Sequence, residues 1–140
     1  MHEVLVKLFH DIMDIEEKVI ITEDFKDISN KDMHIIEAIG VQESKNMSAV
    51  AKTLSVTVGT LTIAINSLVK KGYVNRERSN ADRRVVLLSL TNKGEFAYKH
   101  HKRFHEEMIT AVLAGMDERE TDVLVRALTN LKSFYDNYGK

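Results

Sequence analysis

Between Gly72 and Thr91 the spacing of apolar residues changes period, and this change limits the chain's architecture more than any other feature of it. Before and after that window the apolar residues recur at helical intervals. Inside it, residues 73–78 and 85–90 are rich in strand formers, and Ser79-Asn80-Ala81-Asp82 between them is a turn cluster. The window reads as one β-hairpin with a basic tip, set into an otherwise helical chain.

The helical stretches are bounded by recognisable start and stop signals. Residues 2–22 place Val4, Leu5, Leu8, Ile12, Ile15 and Val19 at three- and four-residue spacings, the pattern of an amphipathic helix. Ser29-x-x-Asp32 predicts a capping box for a second helix that ends near Ile39, and Gly40, Gly72 and Gly115 each sit where a helix would stop. Ser48 reads as the start of a short third helix with Val50, Ala51 and Leu54 on its apolar face, broken at Ser55. Thr57 predicts the N-cap of a fourth, whose stripe is Leu61, Ile65, Leu68 and Val69, with Lys70 and Lys71 complementing its C-terminal dipole. Thr91 caps a long helix over residues 92–114. Asp117-x-x-Glu120 opens a last one that carries Val123, Leu124, Leu128, Leu131, Phe134, Tyr135 and Tyr138. The expected class is mainly α (α+β): a winged helix-turn-helix with long N- and C-terminal dimerisation helices.

With 140 residues, of which 44% are hydrophobic, the chain suits a single domain over residues 1–140. It has no cysteine, which excludes disulfides, thiolate metal sites and cysteine nucleophiles. No leader pattern and no uninterrupted apolar run of membrane-spanning length is visible, so the expectation is a cytoplasmic protein without a membrane partner. Neither a G-x-S-x-G elbow, a G-x-x-x-x-G-K-[ST] phosphate loop nor a G-x-G-x-x-G turn occurs, which argues against an enzyme. The near-zero net charge hides an asymmetry. Residues 48–94 carry eight basic side chains against two acidic ones, while the remainder carries twelve against nineteen. A basic middle with acidic flanks points to a polyanion as partner for the middle.

Two short helices with a tight break, followed at once by a basic hairpin, make residues 48–94 a candidate DNA-binding unit for a double-stranded operator. A helix N-terminus in the major groove presents small polar groups to base edges, and threonine methyls and asparagine amides suit thymine and adenine. Ser48, Thr57, Thr60, Thr62, Asn66 and Lys70 are the candidates on the helices, and Arg76, Arg78, Asn80, Arg83 and Arg84 those on the hairpin. One arginine near Asp82 can hold the turn while another reaches phosphate or the minor groove. For a lone helix, ordinary solvated positions would be the plainer reading of the threonines and Asn66, but between a basic flank and a basic wing base contact is the better one.

The run Asp82-Arg83-Arg84-Val85-Val86-Leu87-Leu88-Ser89-Leu90-Thr91-Asn92-Lys93-Gly94 resembles the D-x-R…L-T-x-x-G wing signature of the MarR family of bacterial transcription regulators. That resemblance implies a homodimer with two recognition helices in successive major grooves and wings in the flanking minor grooves. Residues 1–39 and 92–140 would then dimerise and sense a ligand. The apolar breadth of the first helix, Val4, Leu5, Leu8, Phe9, Ile12, Met13 and Ile15, also suggests an interface, the alternative being that the terminal helices cover each other within one chain.

Within the family, Phe25-Lys26-Asp27-Ile28-Ser29, Met33-His34, Lys71-Gly72-Tyr73 and His101-Lys102-Arg103-Phe104-His105 are similar to members that repress fatty-acid synthesis genes. That similarity implies a long acyl chain on acyl carrier protein as co-repressor, with no other cofactor. Ile12, Val19, Phe25, Met33, Ile36, Phe104 and Met108 are candidates for an acyl pocket, although each taken singly suits a plain core better. Acyl carrier protein is acidic, and Lys99, Lys102 and Arg103 offer a basic docking patch. That reading needs no metal. The competing reading is a zinc-responsive member of the family, with His101 and His105 four apart on one helix and His34 and Glu23 joining them. Another small apolar effector is a third possibility. His105-Glu106 is not a zinc-protease motif, because Ile109 stands where its second histidine is required.

Overall fold

The computed structural model describes residues 1–20 and 25–139, without the side chains of residues 13 and 16–20. It divides into two compact units, Met1–Lys102 and Arg103–Lys140. Along the chain the elements are α1 (His2–Ile20), α2 (Asn30–Ile39), β1 (Lys45–Asn46), α3 (Met47–Thr53), α4 (Val58–Lys70), β2 (Val74–Arg78), β3 (Val86–Leu90), α5 (Asn92–Leu113) and α6 (Glu118–Asn137).

The predicted caps form as local hydrogen bonds. Ser29 and Asp32 make the reciprocal capping box of α2, at 3.1 Å and 3.0 Å. Thr57 accepts the Thr60 N–H at 3.1 Å, Asp117 accepts that of Glu120 at 2.8 Å, and the Thr91 hydroxyl accepts that of Gly94 at 3.1 Å. The start of α3 differs from expectation. Its N-cap is Asn46, whose carbonyl accepts the Ala49 N–H at 2.8 Å, and Ser48 lies inside the first turn. Asn46 pairs with Leu87 of β3, so its backbone is already extended and the helix begins directly after it.

Helices α3 and α4 cross at 107° across a four-residue turn, the geometry of a helix-turn-helix. Two Schellman closures frame that motif. After α3, the Val56 N–H reaches the Ala51 carbonyl at 3.0 Å and the Ser55 N–H that of Lys52 at 3.1 Å. After α4, the Tyr73 N–H reaches Leu68 at 2.9 Å and the Gly72 N–H reaches Val69 at 3.1 Å. The left-handed residue is Gly72 (φ 87°) in the second but Ser55 (φ 56°) in the first, where a side chain carries the strain.

The hairpin forms as predicted, with Val74 opposite Leu90 and Arg78 opposite Val86. A strand the sequence did not announce, β1, pairs antiparallel with the other edge of β3 and gives a three-stranded sheet of order β1-β3-β2. The core of the first unit gathers Phe25, Met33, Ile36 and Ile39, Val50 of α3, Leu61, Ile65 and Leu68 of α4, Tyr73, Leu88 and Ala97. Burying each large aliphatic side chain stabilises the fold by about 1.5–3 kcal/mol, and truncating a fully buried one such as Ile65 to alanine costs about 2–5 kcal/mol. In the second unit, α6 has no buried residue. Val123, Val125, Leu128, Phe134, Tyr135 and Tyr138 all stand exposed there, as Val4, Leu5, Leu8, Phe9, Ile12 and Ile15 do on α1. No single helix among the described residues is long and apolar enough to cross a membrane.

Candidate nucleic-acid interface

On α4 the buried stripe Leu61, Ile65 and Leu68 sets the opposite face outward, so that Thr60, Ile63, Asn66 and Lys70 form one exposed row. Thr57 both caps the helix and donates its hydroxyl proton to the Thr60 hydroxyl oxygen at 2.9 Å. The Thr62 hydroxyl is turned back onto the Val58 carbonyl at 2.7 Å. Asn66 accepts a hydrogen bond from the Arg76 guanidinium, which ties α4 to the first strand of the hairpin.

The hairpin tip is closed by the pair the sequence suggested. Arg84 donates through its side chain to both Asp82 carboxylate oxygens at 3.1 Å, and its backbone N–H to one of them at 3.0 Å. The guanidinium holds the Asp82 carboxyl below the usual carboxylate range. Arg78 donates to the Arg83 carbonyl at 2.8 Å, bracing the tip from inside, while the Arg83 side chain itself stays exposed. Ser48, Thr62, Arg76, Arg78 and Arg84 line a common cleft of about 470 Å³ between the helix-turn-helix and the hairpin, with Asn46, Met47, Val58, Val85 and Val86. Thr57, Thr60, Asn66, Lys70, Asn80 and Arg83 lie outside that cleft. All of them except Asn80 and Arg83 belong to the start or the outer row of α4. Three guanidinium groups around a cleft floored partly by valines can meet a phosphate backbone, while the α4 row faces outward for base edges.

The remainder of the wing motif is structural. The Thr91 hydroxyl donates to the Gly72 carbonyl at 2.5 Å, and its N–H to the Tyr73 carbonyl at 3.0 Å. Gly94, in the first turn of α5, lies so close to the residue before β2 that a Cβ there would stand 2.1 Å from the Tyr73 carbonyl oxygen. Lys93 reaches the Lys71 carbonyl at 3.1 Å and lies 4.3 Å from the centre of the Tyr73 ring.

The other candidates are distributed more widely. Phe25, Met33 and Ile36 are packed in the core of the first unit, and Ile12 is exposed on α1. Phe104 is half-buried and Met108 exposed in the second unit, and the Val19 side chain lies outside the described residues. Lys99, Lys102 and Arg103 are all exposed on α5, with Arg103 paired to Glu107 at 3.0 Å. Buried His101 places Nε2 3.3 Å from the Glu37 carboxylate, a contact the sequence did not reveal, and its ring lies 6.4 Å from that of His34. His105 packs against Phe104, and Glu23 lies outside the described residues. Among the described residues, no three of the histidines and carboxylates are grouped to hold a metal ion. The sequence reading also passed over Ile63. The available signal was an isoleucine two positions out of phase with the buried stripe.

Comparison with known proteins gives a consistent family. The MarR family model matches residues 28–86. The structure of FabT from Streptococcus pneumoniae in complex with DNA is similar at 44% identity and a TM-score of 0.84, over 97% of this chain and 95% of that one. The transcriptional regulator AdcR of Streptococcus pneumoniae is 30% identical over 107 residues, 74% of this chain and 73% of the relative. The transcriptional repressor YetL of Bacillus subtilis is 27% identical over 124 residues, 75% and 74% of the two chains.

Proposed function

The chain belongs to the MarR family of DNA-binding transcription regulators, and on that premise we propose that it is a homodimeric repressor of fatty-acid synthesis genes whose co-repressor is a long-chain acyl group on acyl carrier protein. The observation that carries the narrower reading is the 44% identity to FabT across 97% of the chain. It agrees with the stretches around Phe25, Met33, Lys71 and His101 that resemble the family's fatty-acid-synthesis repressors.

In this reading α4 of each subunit enters a major groove, and the hairpin carries Arg83 to the adjoining backbone or minor groove. The apolar rows on α1 and α6 support the dimer, because exposed aliphatic and aromatic side chains at helical spacing are poorly accounted for by solvent. Lys99, Lys102 and Arg103 form the docking surface for the acidic carrier protein. Of the candidates for the acyl pocket, Phe25, Met33 and Ile36 are packed in the core of the first unit and must move to admit the chain.

The test is binding to promoter DNA of a fatty-acid synthesis operon at fixed salt, titrated with long-chain acyl-acyl carrier protein and, separately, with zinc and with a chelator. Tightening by the acyl carrier is the expected result. A response to zinc alone transfers the sensory role to the histidines, and binding that responds to none of the three removes the fatty-acid reading while leaving a DNA-binding regulator.

A further inference from the structure

Ile63 is 74% exposed, more than any other isoleucine, leucine or valine among the described residues. It stands in the middle of α4, on the face opposite the buried stripe Leu61, Ile65 and Leu68. Nothing in the fold asks for it there. A β-branched side chain is a weaker helix former than alanine, and an exposed one contributes no burial. Its neighbours along the row are already engaged: the Thr60 hydroxyl with Thr57, and the Asn66 carbonyl with Arg76. The Thr62 hydroxyl is spent on the Val58 carbonyl.

The middle of the row therefore offers an incoming surface a branched hydrocarbon between two partly satisfied polar groups. The occupant of this face is double-stranded DNA, because the basic cleft of Arg76, Arg78 and Arg84 lies directly beside it on the same unit. Along the floor of a major groove, the one apolar group that a base edge displays is the C5-methyl of thymine.

We propose that Ile63 is a specificity-determining residue, packing its side chain on a thymine methyl in each operator half-site. The assignment rests on α4 being the helix that enters the major groove. Its energy is that of removing a methyl group and the facing isoleucine surface from water, so the preference for thymine over an unmethylated pyrimidine of the same pairing is about fourfold.

The experiment uses the full chain and its Ile63→Ala variant. Alanine at an exposed helix position preserves the fold, and a thermal melt checks this. A duplex is first enriched from a randomised pool by the wild-type protein at fixed salt. Each thymine in it is then replaced singly by deoxyuridine, which lacks only the C5-methyl. The expected result is a position in each half-site where a single deoxyuridine weakens wild-type binding about fourfold and leaves Ile63→Ala unaffected, the variant, which loses both contacts, binding the thymine duplex about as weakly as the wild type binds a duplex with deoxyuridine at that position in both half-sites. Equal affinity of the two proteins for the thymine duplex overturns the assignment. So do deoxyuridine penalties of the same size in both proteins at every position. A wild-type protein that enriches no duplex removes the base-reading role of α4 altogether, an outcome distinct from failure of Ile63 alone.

Discussion

The Tyr73 hydroxyl donates to the Asp27 carboxylate at 2.7 Å, joining the segment that leads into α2 to the turn between α4 and β2. Lys71 donates to the Asp27 backbone carbonyl, and Lys93 approaches the Asp27 carboxylate at 3.7 Å from the start of α5. A single aspartate thus meets three side chains from two parts of the first unit. The Tyr73 hydrogen bond, aided by the two lysines, holds its carboxyl below the ordinary value, and burial together with Asp27 raises the Tyr73 hydroxyl.

Because the folded carboxyl titrates below its unfolded value of about 3.9, its contribution is complete above that pH and is lost as pH falls through the folded value. Asp27→Asn and Tyr73→Phe are each expected to lower stability at neutral pH by about 1 kcal/mol, a modest figure because Asp27 is partly exposed. Thermal melts from about pH 6 down to about pH 3 should show the gap between wild type and Asp27→Asn closing at the acid end. A gap that stays constant across that range contradicts the assignment.

On the proposed reading, the Asn66–Arg76 hydrogen bond should make α4 and β2 act together on DNA. Asn66→Ala and Arg76→Ala each weaken binding to the enriched duplex, and the double variant is expected to fall short of their sum by about 0.5 kcal/mol or more. Strict additivity in a double-mutant cycle would show that the two residues meet DNA independently.

Arg83 and Arg84 should separate by salt dependence. Both side chains are exposed, but Arg83 lies outside the pair with Asp82, so Arg83→Ala should flatten the slope of log affinity against log salt by about one unit per subunit. Arg84 holds Asp82, so Arg84→Ala and Asp82→Ala should weaken binding to similar extents by loosening the tip. The check is an anisotropy titration at several salt concentrations. Asp82→Ala binding as tightly as wild type would remove the structural role of the pair.

Ser55 is the one non-glycine residue at positive φ among the described residues, and it occupies the place that Gly72 fills in the matching closure after α4. Relief of left-handed strain, about 1 kcal/mol or more, competes with the extra unfolded-state entropy of glycine, about 0.4–1 kcal/mol. Ser55→Gly should therefore raise stability slightly in urea titration, by up to about 1 kcal/mol, and Ser55→Val should lower it by more.

Local chemistry carried most of the fold into view. The box at Ser29 and Asp32, the caps at Thr57, Thr91 and Asp117, and the glycine stops all act within a few residues, so their spacing is enough to find them. What escaped depends on distant partners. The two residues of β1 have no strand pattern of their own and are extended because β3 offers a free edge, and that pairing also moved the start of α3 from Ser48 to Asn46. Glu37 beside His101 and Arg76 beside Asn66 are contacts of tertiary structure. Arg84 pairs with Asp82 as the turn chemistry suggested, and its guanidinium, like that of Arg83, stays exposed.

The space that would hold a side chain at Gly94 is taken by the Tyr73 carbonyl, which itself receives the Thr91 N–H. The first turn of α5 and the root of the wing are therefore seated with no clearance between them. Any side chain at position 94 would have to displace the carbonyl that leads into β2, so the wing can be seated on this helix only where the helix has no side chain.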